Sequence, residues 1–304
     1  MQASPPSSPL SRPTPPLTAR VVVNRHWASF FGRGLVKTEE DFGYQGDLPT
    51  HPDLLDWLAV EFMESGWSLK KLHRLIATSA TYRQSSRVTG PAASRDAENL
   101  LLWRGPRHRL EAEQIRDSAL KVTGLLSLKA GGPGVFPPQP AGVTTEGTYG
   151  AMSWATSSGE DRYRRSLYTF VKRTAPFAMG ATFDAPSGEA CVARRDVSNT
   201  PLQSLTLLND VMFMEAAQAM AATIAPTRES PDAKLHKVFL RIFSRPPTTE
   251  ELNAASQFLA TQHERLTSGK LDPAQLSGAN DPARAAWTLL IRALLNTDEF
   301  VTNH

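Results

Sequence analysis

The sequence predicts a mainly α fold, with multi-helical bundle lobes joined by a long Gly/Pro-rich loop and at most one or two short strands. Apolar residues recur at helical spacing in several segments that are bounded by glycine, proline or capping residues. Only SLYTFV, residues 166–171, is β-prone. Residues 129–158 are rich in glycine, proline, serine and threonine, which predicts a helix-free connection.

Composition bounds the class of protein. A chain of 304 residues with 40% hydrophobic residues can bury a substantial core. The net charge of +3 comes from 33 basic and 30 acidic residues, a balance too even to predict a nucleic-acid-binding surface. A single cysteine, Cys191, excludes an internal disulfide and haem attachment through a Cys-x-x-Cys-His motif, so the sequence predicts no cofactor.

The domain organisation follows the composition along the chain. Residues 1–17, rich in proline and serine, predict a disordered leader, and residues 18–304 form the domain. Within it we expect an N-terminal helical lobe at 18–128, the loop at 129–165 and a C-terminal helical lobe at 166–304. The sequence as written has no signal peptide and no apolar run of membrane-spanning length, and its Pro/Ser start fits a truncated product or a fragment of a longer one.

Four helices are predicted in the N-terminal lobe. The first covers residues 18–31 and stops at Gly32, although the three consecutive valines at 21–23 leave a strand start open. The second runs from Pro52 to Gly66. Ser68 caps a third helix, whose apolar side carries Leu69, Leu72, Leu75 and Ile76. The second and third helices make an antiparallel hairpin. The fourth, at 110–126, places Ala112, Ile115, Ala119, Val122 and Leu126 on one stripe and Glu113, Arg116 and Asp117 on the opposite, polar side.

The C-terminal lobe begins with a short strand predicted at residues 166–171. One long helix is expected from Pro201 to about Ile224, with Leu205, Leu208, Met212, Ala216 and Ala219 facing inward. Another follows at residues 234–243. Thr248 and Glu251 form a capping box for the next, and Asp281 with Pro282 begins the last helix.

Common catalytic motifs are absent from the sequence. It contains no phosphate-binding Gly-x-x-x-x-Gly-Lys loop, no Gly-x-Gly-x-x-Gly, no Gly-x-Ser-x-Gly elbow and no His-Glu-x-x-His pair. Residues 131–134, GGPG, can bind an anion through backbone N–H groups, but a plain turn is the favoured interpretation.

The densest polar stretch is FDAPSGEACVARRDVSNTPLQSLTLLND, residues 183–210, which we call the signature segment. Together with arginines near residues 162–173, it supplies cations that can clamp a carboxylate, sulfate or phosphate. The favoured alternative is an internal ion-pair network with the acidic residues of the same stretches. The candidate ligand-binding residues are Asp184, Glu189, Arg194, Arg195, Asn199, Arg164, Arg165 and Arg173.

Two smaller clusters favour structural roles. Asp47, His51 and Asp53 are potential metal ligands, but helix capping and backbone satisfaction explain them more simply, and no metal site is predicted. Cys191 lies near Arg194 and Arg195, which lower thiol pKa values, yet no neighbouring base is evident and an inert role is favoured.

Seven stretches together resemble one family. They are RVVVNRHWASFFGRGLV (20–36), EDFGYQGDLPTHPDLLDWLA (40–59), residues 67–86 ending in SATYRQSS, RLEAEQIRDSAL (109–120), RRSLYTFVKR (164–173), the signature segment and LLNTDEFVTNH (294–304). The chain is similar over nearly all residues after 18 to the PSD-type domain of unknown function, found at the C-terminal end of planctomycete cytochrome c domain proteins.

The resemblance implies context rather than mechanism. Such domains follow other domains in exported, periplasmic or cell-surface proteins, so an upstream domain or a separate cytochrome-type subunit is the implied partner. The leading hypothesis is an interaction or ligand-binding domain whose signature segment meets an anionic or polysaccharide ligand. The alternatives are a hydrolase of complex carbohydrate, with Asp184 and Glu189 as acid and base, and a purely structural packing module.

Overall fold

A computed structural model describes residues 17–88, 90–140, 154–173, 176–188, 190–192 and 194–303. This part of the chain is mainly helical, as predicted, and two strands of two residues form its antiparallel sheet. The elements are α1 (Leu17–Phe31), α2 (Pro52–Glu64), α3 (Leu69–Thr78), α4 (Ala92–Arg95), β1 (His108–Arg109), α5 (Ala112–Thr123), α6 (Ala178–Thr182), α7 (Pro201–Asn209), α8 (Val211–Ile224), α9 (Pro231–Phe243), α10 (Thr249–Thr267), α11 (Pro273–Ser277), α12 (Pro282–Leu295), α13 (Asp298–Val301) and β2 (Thr302–Asn303).

The chain forms two compact units. The first contains the described residues up to His108, together with Val192, Arg194 and Asn303. The second contains the described residues of Arg109–Cys191 and of Arg195–Thr302. Helix α5 therefore belongs to the second unit. Among the described helices, none is long and apolar enough to span a membrane.

The core of the first unit lies between α1, α2 and α3. Its buried side chains include Val23, Leu55 and Phe62, and Trp27 stacks on Phe31 with ring centroids 4.2 Å apart. The predicted apolar side of α3 is only partly correct, because Leu69 and Leu75 are exposed. A short helix on the surface buries a narrower stripe than its sequence offers.

The core of the second unit centres on α8 and α12, whose apolar residues occupy several faces. Phe213, Met220 and Ile291 are fully buried there, and α5, α9 and α10 add further apolar side chains to the same cluster. Helices that bury several faces require an extensive apolar sequence, and α8 has one. Helix α12 likewise buries Trp287, Leu290, Ile291 and Leu295 in this cluster.

Helix ends follow the predicted capping residues. Ser68 caps α3 by accepting the Lys71 N–H at 3.4 Å, and Thr248 with Glu251 forms the capping box of α10. Asp281 accepts the N–H groups of Ala283 and Arg284 at the start of α12. These contacts satisfy backbone donors that the first helical turn leaves without partners.

Two elements differ from the prediction. The helix expected from Pro201 to Ile224 breaks at Asp210, whose extended backbone ends α7 and whose carboxylate caps α8 by accepting the Met212 N–H at 2.8 Å. This break turns Leu205, predicted to face inward, to solvent.

The segment 166–171 is not the strand that the sequence predicts. Ser166–Tyr168 is a 3-10 turn, and Thr169 makes only an isolated parallel bridge to Val135. Residues 141–153 of the predicted loop lie outside the described residues.

Candidate functional site

The signature segment folds around the carboxylate of Asp184. This residue adopts a left-handed backbone, with φ of 61°, immediately after α6 and Phe183. Its Oδ2 accepts the Ser198 N–H at 2.9 Å, and its Oδ1 accepts the Ser198 hydroxyl at 2.8 Å. Asp and Asn tolerate this backbone region better than most residues, because their short side chains can bond locally. Asp184 thus closes the gap between the end of α6 and Ser198.

Arg109 completes this closure. Its Nη2 donates to Asp184 Oδ2 at 2.5 Å, and its Nη1 donates to the Ser198 carbonyl at 2.6 Å. Gln203 on α7 adds hydrogen bonds to Ser198 and to the Thr182 carbonyl. Burial alone raises the pKa of the Asp184 carboxyl, but the Ser198 N–H and the Arg109 guanidinium outweigh burial and lower it. Asp184 is therefore an ionised, internally paired carboxylate.

Arg195, the next arginine of the signature segment, pairs with α5. Its guanidinium donates to both carboxylate oxygens of Glu113, at 2.6 and 3.2 Å, and approaches Glu111 at 3.4 Å. This fork geometry lowers the pKa of Glu113, because the hydrogen bonds outweigh the opposing effect of burial. The pairing is internal, but the partner comes from α5 and not from the acidic residues near Arg195 in the sequence.

Arg164 is buried without a carboxylate contact among the described residues. It is 1% exposed, and its guanidinium donates to the carbonyls of Lys129, Gly131 and Pro133. The guanidinium also stacks over the Tyr168 ring at 3.7 Å. The carbonyls around GGPG thus face a cation, which supports the turn interpretation of this sequence over an anion-binding one.

The remaining predicted site residues do not converge. Arg165 lies 53% exposed with its Nε 3.7 Å from Asp117 Oδ2, while Arg173, Arg194 and Asn199 are exposed. Arg194 belongs to the first unit. There burial raises the pKa of Glu39, and the charge of Arg194 opposes this rise without cancelling it. Glu189 lies outside the described residues.

Arg116 is the site residue that the sequence analysis placed wrongly. The polar side of α5 was expected to carry it, yet Arg116 is 1% exposed. Its Nη1 donates to the Arg164 carbonyl at 2.8 Å and its Nη2 to the Arg162 carbonyl at 3.2 Å. The available signal was its spacing, because positions four after Ala112 and three before Ala119 share the apolar face.

The charge of Arg116 is only partly compensated. The nearest carboxylate oxygen is Asp117 Oδ1, 3.7 Å from Nη1. Burial lowers the pKa of Arg116 to about 10, opposed by the charges of Asp117 and Asp210. Burial likewise raises the pKa of Asp210, against the Met212 N–H and Arg116. A guanidinium remains charged at this pKa near neutral pH, so the second unit holds a desolvated cation.

A small cavity adjoins this cation. It measures about 80 Å³ and lies where α5, residues 166–171, α6 and the signature segment meet. Apolar side chains form most of its wall, and the polar lining groups are Glu113, Arg116, Ser166 and Thr169. Within the described part of the chain, the buried Arg116 Nε and Thr169 Oγ have no hydrogen-bond partner. Buried donors without partners are uncommon and mark a place for a polar ligand atom.

Other predicted clusters show no ligand geometry. Among the described residues, no group of three His, Cys, Asp or Glu side chains could hold a metal ion. His51 Nδ1 lies 3.0 Å from Thr50 Oγ, and Asp53 occupies the first turn of α2. Cys191 is a free, exposed thiol.

Comparison with known proteins gives a family without a known function. The family model described as PSD1, protein of unknown function (DUF1553), matches residues 8–259. No curated protein and no solved structure matches the chain.

Proposed function

Because the chain belongs to the PSD1 family (DUF1553), whose function is unknown, we propose a function from its own geometry. The protein is a non-catalytic ligand-binding domain, and the cavity beside Arg116 takes a carboxylate group of its ligand. The observation that carries this proposal is the pair of unpartnered buried donors, Arg116 Nε and Thr169 Oγ, lining one cavity.

The electrostatics of the cavity favour an anion. Arg116 carries a desolvated charge that Asp117, 3.7 Å away, compensates only in part, and a bound carboxylate would add a closer counter-charge. Glu113 also lines the cavity, but Arg195 neutralises it through two hydrogen bonds. Phe177, Met179 and Val171 make the surrounding wall apolar, which suits a carboxylate attached to a short hydrocarbon group.

The contacts of Asp184 argue against the hydrolase alternative. A general acid must hold a proton near the working pH, and the pKa of Asp184 is lowered. Both of its oxygens are already occupied by Ser198 and Arg109. The role of Asp184 in the proposal is to hold the signature segment beside the cavity, to which Ala185 and Pro186 contribute.

A second candidate function is packing against another domain. Leu202 and Leu205, 59% and 52% exposed, lie one turn apart on α7. As part of the proposal, we take the chain to belong to an exported, cytochrome-linked surface protein, where an upstream domain would cover this face. Co-expression with the domain encoded upstream would test the packing role, since Leu205→Glu should abolish co-purification and Leu240→Glu, an equally exposed position on α9, should not.

The binding proposal is tested by NMR of protein labelled at the methionine methyl groups. Met179 is buried and lines the cavity, so titration with acetate and butyrate should shift its resonance in a saturable way. Thr169→Val keeps the side-chain shape but removes the hydroxyl, and should weaken binding by about 1.5–3 kcal/mol, the usual contribution of a hydrogen bond to a charged group.

Thr169→Ser is the matched control and should retain binding, because it keeps the hydroxyl. Thr182→Val, whose hydroxyl bonds only to the Ala178 carbonyl of its own helix, should leave binding unchanged. If the Met179 resonance does not move with either carboxylate, or if Thr169→Val binds as tightly as the wild type, the cavity is not the site.

A further inference from the structure

A second cleft lies within the first unit, and none of the candidate residues predicted from the sequence lines it. It has a volume of about 100 Å³ and is lined by the C-terminal end of α1, residues 33–35 and residues 98–107. Trp27 and Phe31 form its apolar floor. Its charged lining consists of the arginines Arg33, Arg104 and Arg107 and one carboxylate, Glu98.

Two arginines of this cleft, Arg33 and Arg104, each keep a guanidinium donor without a partner in the described residues. Arg33 Nη1 donates to Glu98 Oε2 at 3.0 Å, and Arg104 Nη2 donates to the Ala97 carbonyl at 3.4 Å. The Arg104 guanidinium also lies 5.4 Å from the centre of the Trp103 ring. The Nε atoms of Arg33 and Arg104 are both buried and lack a partner in the described residues. Against the guanidinium groups of Arg33 and Arg104 the lining has one carboxylate, Glu98, so the combined charge of these three side chains is positive. A guanidinium group binds oxyanions through paired N–H donors.

The backbone around the cleft is held in a fixed shape. A side chain at Gly34 would lie 2.5 Å from the Asn24 amide, and one at Gly105 would lie 2.3 Å from the Gln84 carbonyl. Asn99 and Leu102 both have φ of 57°, a conformation that costs free energy for a residue other than glycine. The Asn99 amide bonds the backbone of Arg104 in both directions, at 3.0 and 3.2 Å. The position of Arg104 is therefore fixed before any ligand arrives.

Glu98 holds its carboxylate against Arg33. Its side chain is 72% exposed, whereas Arg33 is 29% exposed, so the pair lies at the solvent edge of the cleft. Exposed ion pairs are weak, about 0.2–1 kcal/mol, and a stronger anion can displace such a carboxylate. A group with more negative charge and more acceptor oxygens than Glu98 would bind Arg33 and Arg104 together.

We propose that this cleft binds the phosphate or sulfate group of an organic ester, with Glu98 as an internal competitor for Arg33. The apolar floor then contacts the organic part next to the ester oxygen. The site lies in the first unit and does not depend on the proposed carboxylate cavity of the second unit. Phosphate and sulfate share the chemistry that the arginines recognise, and separate titrations distinguish them.

The test uses the full chain labelled with 5-fluorotryptophan, whose Trp27 resonance is assigned by Trp27→Phe. Inorganic phosphate, sulfate and acetate are titrated separately at constant ionic strength, because surface charge effects are screened by salt. We expect the Trp27 fluorine resonance to shift and saturate with phosphate or sulfate, and to respond far less to acetate. Saturation with either dianion supports the site and identifies the ester type.

Two variants give effects in opposite directions. Glu98→Gln removes the competitor and should tighten binding roughly two- to five-fold, the equivalent of one exposed ion pair. Arg104→Leu should weaken binding at least about ten-fold, through the loss of a charge-assisted hydrogen bond. Arg95→Leu, an exposed arginine at the end of α4, should change nothing.

Three results would overturn the proposal. In the first, neither phosphate nor sulfate moves the Trp27 resonance. In the second, acetate binds as tightly as phosphate and sulfate. In the third, Glu98→Gln binds the dianions no more tightly than the wild type does. Glu98 is exposed, so its variant folds even where Arg104→Leu does not. The Met179 resonance reports on the other cavity. Its response to carboxylates therefore tests the proposed function independently of the Trp27 result.

Discussion

Two arginines of the second unit, Arg164 and Arg245, are bound by opposite kinds of partner. Arg164 is 1% exposed and donates to the backbone carbonyls of residues 129–133. Arg245 has a 35% exposed side chain and makes two-atom contacts with the carboxylates of Glu251 and Glu299. Carbonyl dipoles therefore bind the buried Arg164, whereas charged carboxylates bind the partly exposed Arg245.

The difference shows which charged groups define the fold. Carbonyls that face a buried guanidinium cannot turn to water when it is lost, so Arg164 determines the path of the glycine-rich segment. The carboxylates around Arg245 regain hydration when the arginine is removed, so their pairing contributes less. Arg116 belongs with Arg164, since its charge is also held by carbonyls, those of Arg162 and Arg164.

The sharpest way to break this comparison is Arg164→Met. We expect the free energy of unfolding to fall by about 3–5 kcal/mol, because each carbonyl left without a partner costs about 1–3 kcal/mol. Urea denaturation followed by circular dichroism measures the change. The neighbouring Arg165→Met is the control and should stay within about 0.5 kcal/mol, since Arg165 is 53% exposed. Equal effects of the two variants would contradict the distinction between carbonyl-bound and exposed arginines.

Asp184→Asn tests a carboxylate that lies between the two extremes. At pH 7 the variant should lose about 1–3 kcal/mol, because hydrogen bonds from Arg109 and the Ser198 N–H to a charged acceptor are weakened. The folded-state pKa of Asp184 lies below its ordinary value of 3.8. Its contribution is therefore full above pH 4 or so, and is lost as the pH falls through the folded-state pKa.

Denaturation at pH 7, 5 and 3 measures this dependence. The gap between the wild type and Asp184→Asn should narrow at pH 3. Asp196→Asn, an exposed carboxylate of the same segment, should show no such gap at any pH. A gap that is constant from pH 7 to pH 3 would show that the charge of Asp184 does not contribute.

Arg245→Gln measures the exposed side of the comparison. We expect a loss of roughly 0.5–1 kcal/mol near neutral pH, since the three side chains are each about a third exposed and water screens their attraction. Hydrogen bonds from Arg245 lower the pKa of Glu251 from 4.5 to about 2. The stabilisation is therefore present above pH 4.5 and disappears as the pH falls towards about 2.

Salt distinguishes the two kinds of arginine. The effect of Arg245→Gln should shrink at about 1 M NaCl, where exposed charges are screened within about 3 Å, whereas that of Arg164→Met should persist. Denaturation at low and high salt provides the measurement. If the loss of unfolding free energy in Arg245→Gln does not depend on salt, Arg245 behaves like the buried arginines and the comparison is wrong.

His26, a partly buried basic group next to a second histidine, shows the smallest effect. Its Nδ1 lies 2.9 Å from His73 Nε2, and burial, followed by the charge of His73, lowers its pKa below 6.5. The unfolded chain then binds more protons than the folded one, so stability falls as the pH drops through 6.5. We expect a decline of less than about 1 kcal/mol between pH 7 and 5.

His26→Asn should flatten this decline, and thermal denaturation across the same pH range measures it. His263→Asn, on an exposed face of α10, is the matched control and should keep the slope of the wild type. A steeper slope in His26→Asn would contradict the lowered pKa of His26.

Elements with local causes were predictable from the sequence. The capping boxes and N-caps of α3, α10 and α12 depend on contacts within a few residues, so the sequence alone indicates where those helices start. The helix break at Asp210 was not predicted, because residues 201–224 keep an apolar pattern throughout. Buried contacts of Asp210 with α8 and the charge of Arg116 favour the break.

The candidate site was predictable only in part. The sequence marked the signature segment and residues 164–173 as the dense polar region, and α5, residues 166–171 and the signature segment do meet at one cavity. It did not identify Arg116 or Thr169 as lining residues. Arg116 looked exposed because an arginine is usually solvated, and Thr169 looked like part of a strand.

The sequence by itself determined the mainly α class, the family and the ends of most helices, because helical periodicity and capping are written within short segments. The tertiary structure alone decided which charges are buried and with what they pair. Arg195 pairs with Glu113, Asp184 with Arg109 and Arg162 with Glu215, each partner more than 50 residues away. Such pairings depend on which elements pack together and on how much water they exclude, and neither quantity is contained in local sequence spacing.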